Sequence, residues 1–213
     1  HFDFMSSMAV DGIVNYGIGD WCAPFDGPAI SVNMSTFKAP VALTDTACYY
    51  RSARMLSKMS RVLGLDDPYL ARSEEIRAAL LCNFVDADTG EVAGACQTSD
   101  GCVAFHHLLK PQEEARLMER LAERIAQNGW HIDYGILGSK YVLNMLGEYG
   151  RTDVIYKMLT REDYPGYLYW VAHGCTTLAE CWNLGGSHNH YMFSDVSAVF
   201  YRYFAGIRPD GDI

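Results

Sequence analysis

Between Thr176 and His190 the chain carries one carboxylate, Glu180, among two threonine hydroxyls, the Trp182 indole and two histidines. That mixture suits sugar chemistry. A carboxylate of this kind activates a water or faces a developing positive charge, and flat rings take up the apolar face of a sugar. The neighbours of Glu180 in sequence (Cys175, Leu178, Ala179, Cys181) are apolar, so it joins no polar stripe. A carboxylate in apolar company needs hydrogen-bonding partners, and such places are where general bases are found. The plainer alternative is a solvated glutamate on a short helix. On a helix over Thr176–Trp182, Thr176 and Thr177 lie one turn before Glu180 and would orient it.

The stretch Ser187–His188–Asn189–His190 is the second candidate. Asn189 is placed to cap a helix that follows, and His190 to offer a neutral donor or acceptor to a cleft. Neither histidine, with His173, Cys175 or Cys181, has the spacing of a zinc site, and no metal or cofactor is expected. Gly19–Asp20–Trp21 is the third. An exposed carboxylate beside an indole pairs hydrogen bonds to adjacent sugar hydroxyls with ring stacking; the alternative is a turn with a core tryptophan. Trp130, after a helix stop, either stacks on a ligand or plugs the core. Gln97, Thr98, His131 and Asp133 are weaker candidates. Ser99, Ser187 and Ser194 lack the context of a serine nucleophile.

Helices must position these groups. Apolar residues recur at helical intervals over Val41–Leu63, where Gly64 stops the run, and again from Pro68 through Phe84. A turn is expected at 86–90 and a short helix over Val103–Leu109. Pro111 opens a helix whose acids come early and arginines late, as the helix dipole favours, ending at Gly129. Ile136–Tyr149, a helix capped by Thr152 or Asp153 through Leu159, Thr176–Trp182 and His190–Ala205 complete the set. No segment alternates with a period of two, so strand content is minor. Eight or nine helices joined by short links form antiparallel hairpins of an all-α domain. Two long aromatic loops, Asn15–Pro40 and Tyr164–Gly174, stand out, and such loops carry function.

The bulk numbers narrow the partners. A net charge of -9 argues against nucleic acid and anionic membrane surfaces, and no apolar run approaches the roughly 20 residues of a membrane span. Seven cysteines, an odd number with no CxxC pair, read as reduced and mostly buried thiols and lean towards the cytoplasm. The chain starts at His1 and reads as a piece of a longer protein, which leaves localisation open, as it does a homo-oligomer.

Taken in order, GDW at 19–21, TDTACYYRSARMLSKMSRVLGL at 44–65, ACQTSDGCVAFHHLL at 95–109, the 131–159 block, GCTTLAECW at 174–182 and SHNHYMF…FYRYFAGIRPD at 187–210 resemble the C-terminal part of the catalytic domain of bacterial α-L-rhamnosidases. The resemblance covers nearly all of residues 1–213 and implies a partial (α/α)6 barrel, with the first hairpins and flanking β domains outside this sequence. It implies inverting hydrolysis of terminal α-L-rhamnose from a glycoside or polysaccharide. Glu180 then corresponds to the general base, His190 to a sugar ligand, and Trp21, with Asp20 beside it, to the wall around the rhamnose. Ala179 departs from the family's frequent tryptophan, and the link from Glu180 to His190 is short. The family's acidic, arginine-containing general-acid motif, expected before GDW, has no match, and Arg161–Asp163 stands in the wrong context for it. On this reading the chain alone is inactive. Another glycosidase or a sugar phosphorylase on the same toroid, and a non-catalytic carbohydrate-binding scaffold, are the alternatives.

Overall fold

The computed structural model describes residues 1–24 and 38–209. The middle of the expected Asn15–Pro40 loop and the end of the RPD segment at 208–210 therefore lie outside the described residues. Nine α-helices occur among the described residues: α1 (Phe2–Met8), α2 (Val41–Leu63), α3 (Tyr69–Phe84), α4 (Gln97–Phe105), α5 (Pro111–Gln127), α6 (Ile136–Glu148), α7 (Thr152–Leu159), α8 (Tyr167–Ala172) and α9 (Asp195–Val199), the last continuing as a π-helical turn, Phe200–Phe204. Among the described residues, extended pairing is limited to two isolated bridges, Val10 with Ile13 and Val85 with Val92.

Local chemistry explains the bounds. Gly64, at φ 67°, ends α2 in the left-handed region, and its N–H turns back to Ser60 and Arg61 carbonyls. Pro111 starts α5, where Glu113 reaches back to the Lys110 N–H at 3.1 Å. Asp86 accepts from the N–H groups of Asp88 and Thr89 and fixes the 86–90 turn. Four expectations fail. α4 begins six residues before Val103, because Cys96 to Asp100 is buried and its polar groups are tied to other elements. Tyr164–Gly174 contains α8 rather than an open loop. Thr176–Trp182 is not helical, and the last helix starts at Asp195 rather than His190.

The short links make successive helices antiparallel. The starts of α2, α4 and α6 gather at one end with the ends of α3, α5 and α7. There Asp133, in the α5–α6 link, accepts from the Gln97 N–H at 3.1 Å, and the chain at Gly94 lies against Pro40. α4 and α6 form the central pair, with Gln97–Ala104 and most of Gly138–Gly147 out of solvent. α5 buries one stripe (Leu117, Met118, Leu121, Ala122, Ile125) and shows charge on the other face. α2 packs on α3 and touches α4, and α9 packs on α6.

Glycines set the closeness of the central pair. A Cβ at Gly101 of α4 would lie 2.9 Å from Cγ2 and 3.2 Å from N of Val142 in α6. The expected result for Gly101→Ala is a loss of about 1–3 kcal/mol, since the helices must separate to admit it. Urea unfolding checks this; an unchanged midpoint would mean the pair has slack.

Candidate active site

The site is built on the segment between α8 and α9, which folds as a hairpin. The Glu180 N–H donates to the Ser187 carbonyl at 2.8 Å and the His190 N–H to the Leu178 carbonyl at 2.9 Å. The Thr177 hydroxyl donates to the His188 carbonyl, so it closes the hairpin and does not orient Glu180. The turn is made by Leu184 and Gly186 at φ 64° and 74°, with the Gly185 N–H bonded to the Asn183 side chain at 3.0 Å. These bonds replace the helix expected over Thr176–Trp182. Asn189 caps nothing, because Ser194 holds the position before α9.

The hairpin brings Glu180 and His190 onto its two facing arms. The Ser187 N–H donates to Glu180 Oε2 at 2.8 Å. Glu180 Oε1 has no protein hydrogen bond among the described residues, and the side chain is half-buried. His190 Nδ1 accepts from the Met192 N–H at 3.2 Å, so the neutral ring carries its proton on Nε2 and presents a donor there. Its face stacks on Tyr191 with centroids 5.4 Å apart.

Buried aromatics seat the hairpin on the helices. Trp182 stacks on Trp170 at 4.6 Å and packs on Phe193 at 4.4 Å. Its indole N–H donates to the Tyr134 carbonyl at 2.9 Å, and that of Trp170 donates to the Trp182 carbonyl at 3.0 Å. This cluster is core.

The Gly19–Asp20–Trp21 turn lies against the same structure. Asp20 is fully buried, which corrects the expectation of an exposed sugar ligand. Its carboxylate accepts from the N–H groups of Gly135, Leu137 and Gly138 at 2.8, 2.9 and 2.9 Å and from the Thr98 hydroxyl at 2.5 Å. It therefore caps α6 from a distance of more than a hundred residues. Burial raises its pKa above the ordinary carboxyl value, against the pull of the four donors. Trp21 is half-buried, and its carbonyl accepts from the Ile136 N–H at 2.9 Å. The next residue, Cys22, lies with its sulfur 3.7 Å from that of Cys181, so the Trp21 turn and the Glu180 arm are in contact.

Trp130 stands in the α5–α6 link at the same end. The Lys157 ammonium sits 4.0 Å from its ring centroid, and no ring contact joins it to Trp21, Glu180 or His190 among the described residues. Gln97, Thr98, His131 and Asp133 are structural. Gln97 joins the His131 carbonyl and the Asp133 N–H to the start of α4, and Thr98 serves Asp20. His131 pairs with Asp163 at 2.9 Å, and Arg161 beside that carboxylate holds it well below the usual range. Sequence reasoning missed Gly186, which lies against the Glu180 carboxylate, the role of the Ser187 N–H in holding that carboxylate, and the Cys22–Cys181 contact. The Gly185–Gly186 pair was the available signal.

Residues 2–204 match the family model described as the bacterial alpha-L-rhamnosidase 6 hairpin glycosidase domain. An alpha-L-rhamnosidase of Alteromonas sp. is 27% identical over 90% of this chain and 22% of its own length, and one of Streptomyces avermitilis is 31% identical over 91% and 19%. The crystal structure of the Streptomyces avermitilis alpha-L-rhamnosidase complexed with L-rhamnose superposes with a TM-score of 0.85 at 26% identity, covering 99% of this chain and 20% of that one. The chain thus spans about a fifth of the length of these relatives. Its antiparallel hairpins are part of an (α/α)6 barrel, and the chain belongs to the bacterial alpha-L-rhamnosidase six-hairpin glycosidase family.

Proposed function

We propose that this chain is the C-terminal part of the catalytic domain of an inverting glycoside hydrolase that removes terminal α-L-rhamnose from glycosides or polysaccharides. Glu180 is the general base. The observation that carries this is the division of labour between its oxygens: Oε2 is fixed by the Ser187 N–H, while Oε1 has no protein partner among the described residues and is left to take a proton from water. His190, on the facing arm, donates from Nε2 to a sugar hydroxyl. Trp21 walls the pocket beside them. Trp130, with Lys157 over one face, stacks on the bound glycoside with the other.

Inversion requires a second carboxyl about 6.5–9.5 Å from the first, to protonate the leaving oxygen while water attacks the opposite face. Neither Asp20 nor Asp163 serves. Asp20 is enclosed and saturated with donors, and Asp163 is paired with Arg161 and His131. The acid is supplied from the part of the catalytic domain outside this sequence. The test is hydrolysis of an aryl α-L-rhamnoside by the full-length protein, followed by NMR as product forms. The first-formed sugar should be β-L-rhamnose. First-formed α-L-rhamnose would exclude the inverting scheme, and no hydrolysis would exclude the activity.

Gly186 has a role in this scheme. A Cβ there would lie 2.5 Å from Glu180 Oε2 and 2.9 Å from Cδ, and φ is 74°. Gly186→Ala must displace the carboxylate, and a shift near 1 Å costs about 10²-fold in kcat. Steady-state kinetics with the full-length enzyme checks this; an unaltered kcat would show that the carboxylate position is not critical.

A further inference from the structure

At the opposite end of the helices from the hairpin lies a cavity of about 500 Å³. It opens between α2, the last turns of α4 and α6, and the π-helical turn. Its lining includes Arg51, Arg54, His106, Asn144, Glu148 and Arg202. The molecule as a whole carries a charge of -9, yet this cavity holds three guanidiniums against one carboxylate.

The charges are poorly compensated. Glu148 is committed to the Tyr203 hydroxyl at 2.8 Å and to Arg208 at 3.5 Å. Among the described residues Arg54 has only Glu74 as an ion-pair partner, at 3.6 Å, and Arg202 makes a 3.3 Å hydrogen bond to Asn144. Arg51 has no carboxylate within ion-pair distance among the described residues; its guanidinium lies 5.2 Å from the Phe105 ring centroid. The carbonyl ends of α4 and α6 add about half a negative charge each, less than three guanidiniums supply.

A second observation is independent of those charges. His106, only 7% exposed, lines the cavity, and its Nε2 is buried without a hydrogen-bond partner. Buried polar atoms are nearly always satisfied, so an orphan donor on a residue that lines a cavity is an exception that a bound acceptor would remove. Burial, with Arg51, His107 and Lys140 adding to it, holds the His106 pKa down to about 3. The ring is neutral in ordinary buffers, and with its proton on Nε2 it offers a donor rather than a charge.

We propose that this cavity is a binding site for a small oxyanion of the phosphate class, held by Arg51, Arg54 and Arg202 with a hydrogen bond from His106. Guanidiniums match tetrahedral oxyanions through paired N–H donors, and a neutral imidazole donor completes the coordination without adding charge. The site stands apart from the Glu180 hairpin and does not depend on its role.

The test uses the full-length protein, with inorganic phosphate as probe and sodium chloride at equal ionic strength as reference. Phosphate should raise the melting temperature by a few degrees at saturation and titrate in calorimetry as one site. Arg51→Gln and Arg202→Gln should each weaken the phosphate dissociation constant about tenfold, the loss of one charge-assisted hydrogen bond. Both side chains are exposed, so the fold should survive. His106→Phe should weaken binding as well, and Lys58→Gln, an exposed change on α2 outside the cavity lining, should leave it unaltered. Equal stabilisation by chloride, no phosphate binding at all, or a dissociation constant in both arginine variants unchanged from that of the unsubstituted protein would each overturn the proposal.

Discussion

Glu180→Gln in the full-length enzyme is expected to lower kcat on an aryl α-L-rhamnoside by about 10²–10⁴-fold, with KM and melting temperature little changed. Glutamine has nearly the same shape, and its carbonyl oxygen takes over the 2.8 Å bond from the Ser187 N–H, so the hairpin keeps its closure. What is lost is basicity at the second oxygen, where the attacking water must shed a proton. That loss corresponds to about 3–5 kcal/mol of barrier. Azide separates the base from a residue that only binds sugar. It needs no deprotonation to attack, so added azide should restore turnover in the variant and yield the rhamnosyl azide of inverted configuration. Near-normal turnover without azide would show that the base lies elsewhere. A slow variant that azide does not rescue would move Glu180 from the base role to a binding one.

The reason this prediction rests on coordinates as well as on a motif lies in the hairpin. Sequence periodicity is a reliable guide where a segment has a regular apolar stripe and a terminator. α2 shows this: its expected bounds and its observed ones are both Val41–Leu63, with Gly64 in the left-handed conformation the stop requires. α5 and α6 follow the same rule. The stretch 174–194 has no such stripe. Its buried apolar residues, Ala179, Cys181, Trp182 and Phe193, follow no single period, and its order comes from the Thr177, Glu180 and His190 bonds across the arms. Those bonds depend on a turn of two glycines and on Trp182 docking on Tyr134, contacts that local propensity does not record. The expected helix there was therefore the wrong local structure; Glu180 and His190 stand instead on opposite arms of the hairpin, bonded through their N–H groups to Ser187 and Leu178. α4 shows the converse case. Its first turn is polar (Gln97, Thr98, Ser99, Asp100) and offers no apolar stripe, yet all four are buried: Gln97, Thr98 and Asp100 serve distant residues, and the Ser99 hydroxyl accepts from the Cys96 thiol. Asp100 pairs with Arg124 at 3.0 Å, and burial still lifts its pKa to about 6.

Asp20 extends that lesson to a residue that looked like a sugar ligand, and its substitution should have the largest effect on stability. Asp20→Ala removes the acceptor for three backbone N–H groups at the start of α6 and for the Thr98 hydroxyl of α4, all enclosed. An unsatisfied buried donor costs about 1–3 kcal/mol, and local rearrangement recovers part of the total. The expected loss is about 3–5 kcal/mol, a large share of the 5–15 kcal/mol that holds a typical domain. Asp20→Asn should fall between. Its carbonyl oxygen serves Leu137 and Gly138, but its amide group then faces the Gly135 N–H, donor against donor. Thr98→Val removes only one of the four donors and should cost about 1 kcal/mol. In an Asp20→Ala background it should cost still less, because the hydroxyl has no acceptor left to lose. Urea unfolding of the full-length protein and its variants measures this cycle. If Asp20→Asn kept the wild-type midpoint but lost affinity for rhamnose, the carboxylate would be a sugar ligand after all. If it unfolds early while the folded fraction binds normally, the carboxylate holds α6, and through α6 the floor on which the Trp21 turn and the Glu180 hairpin rest.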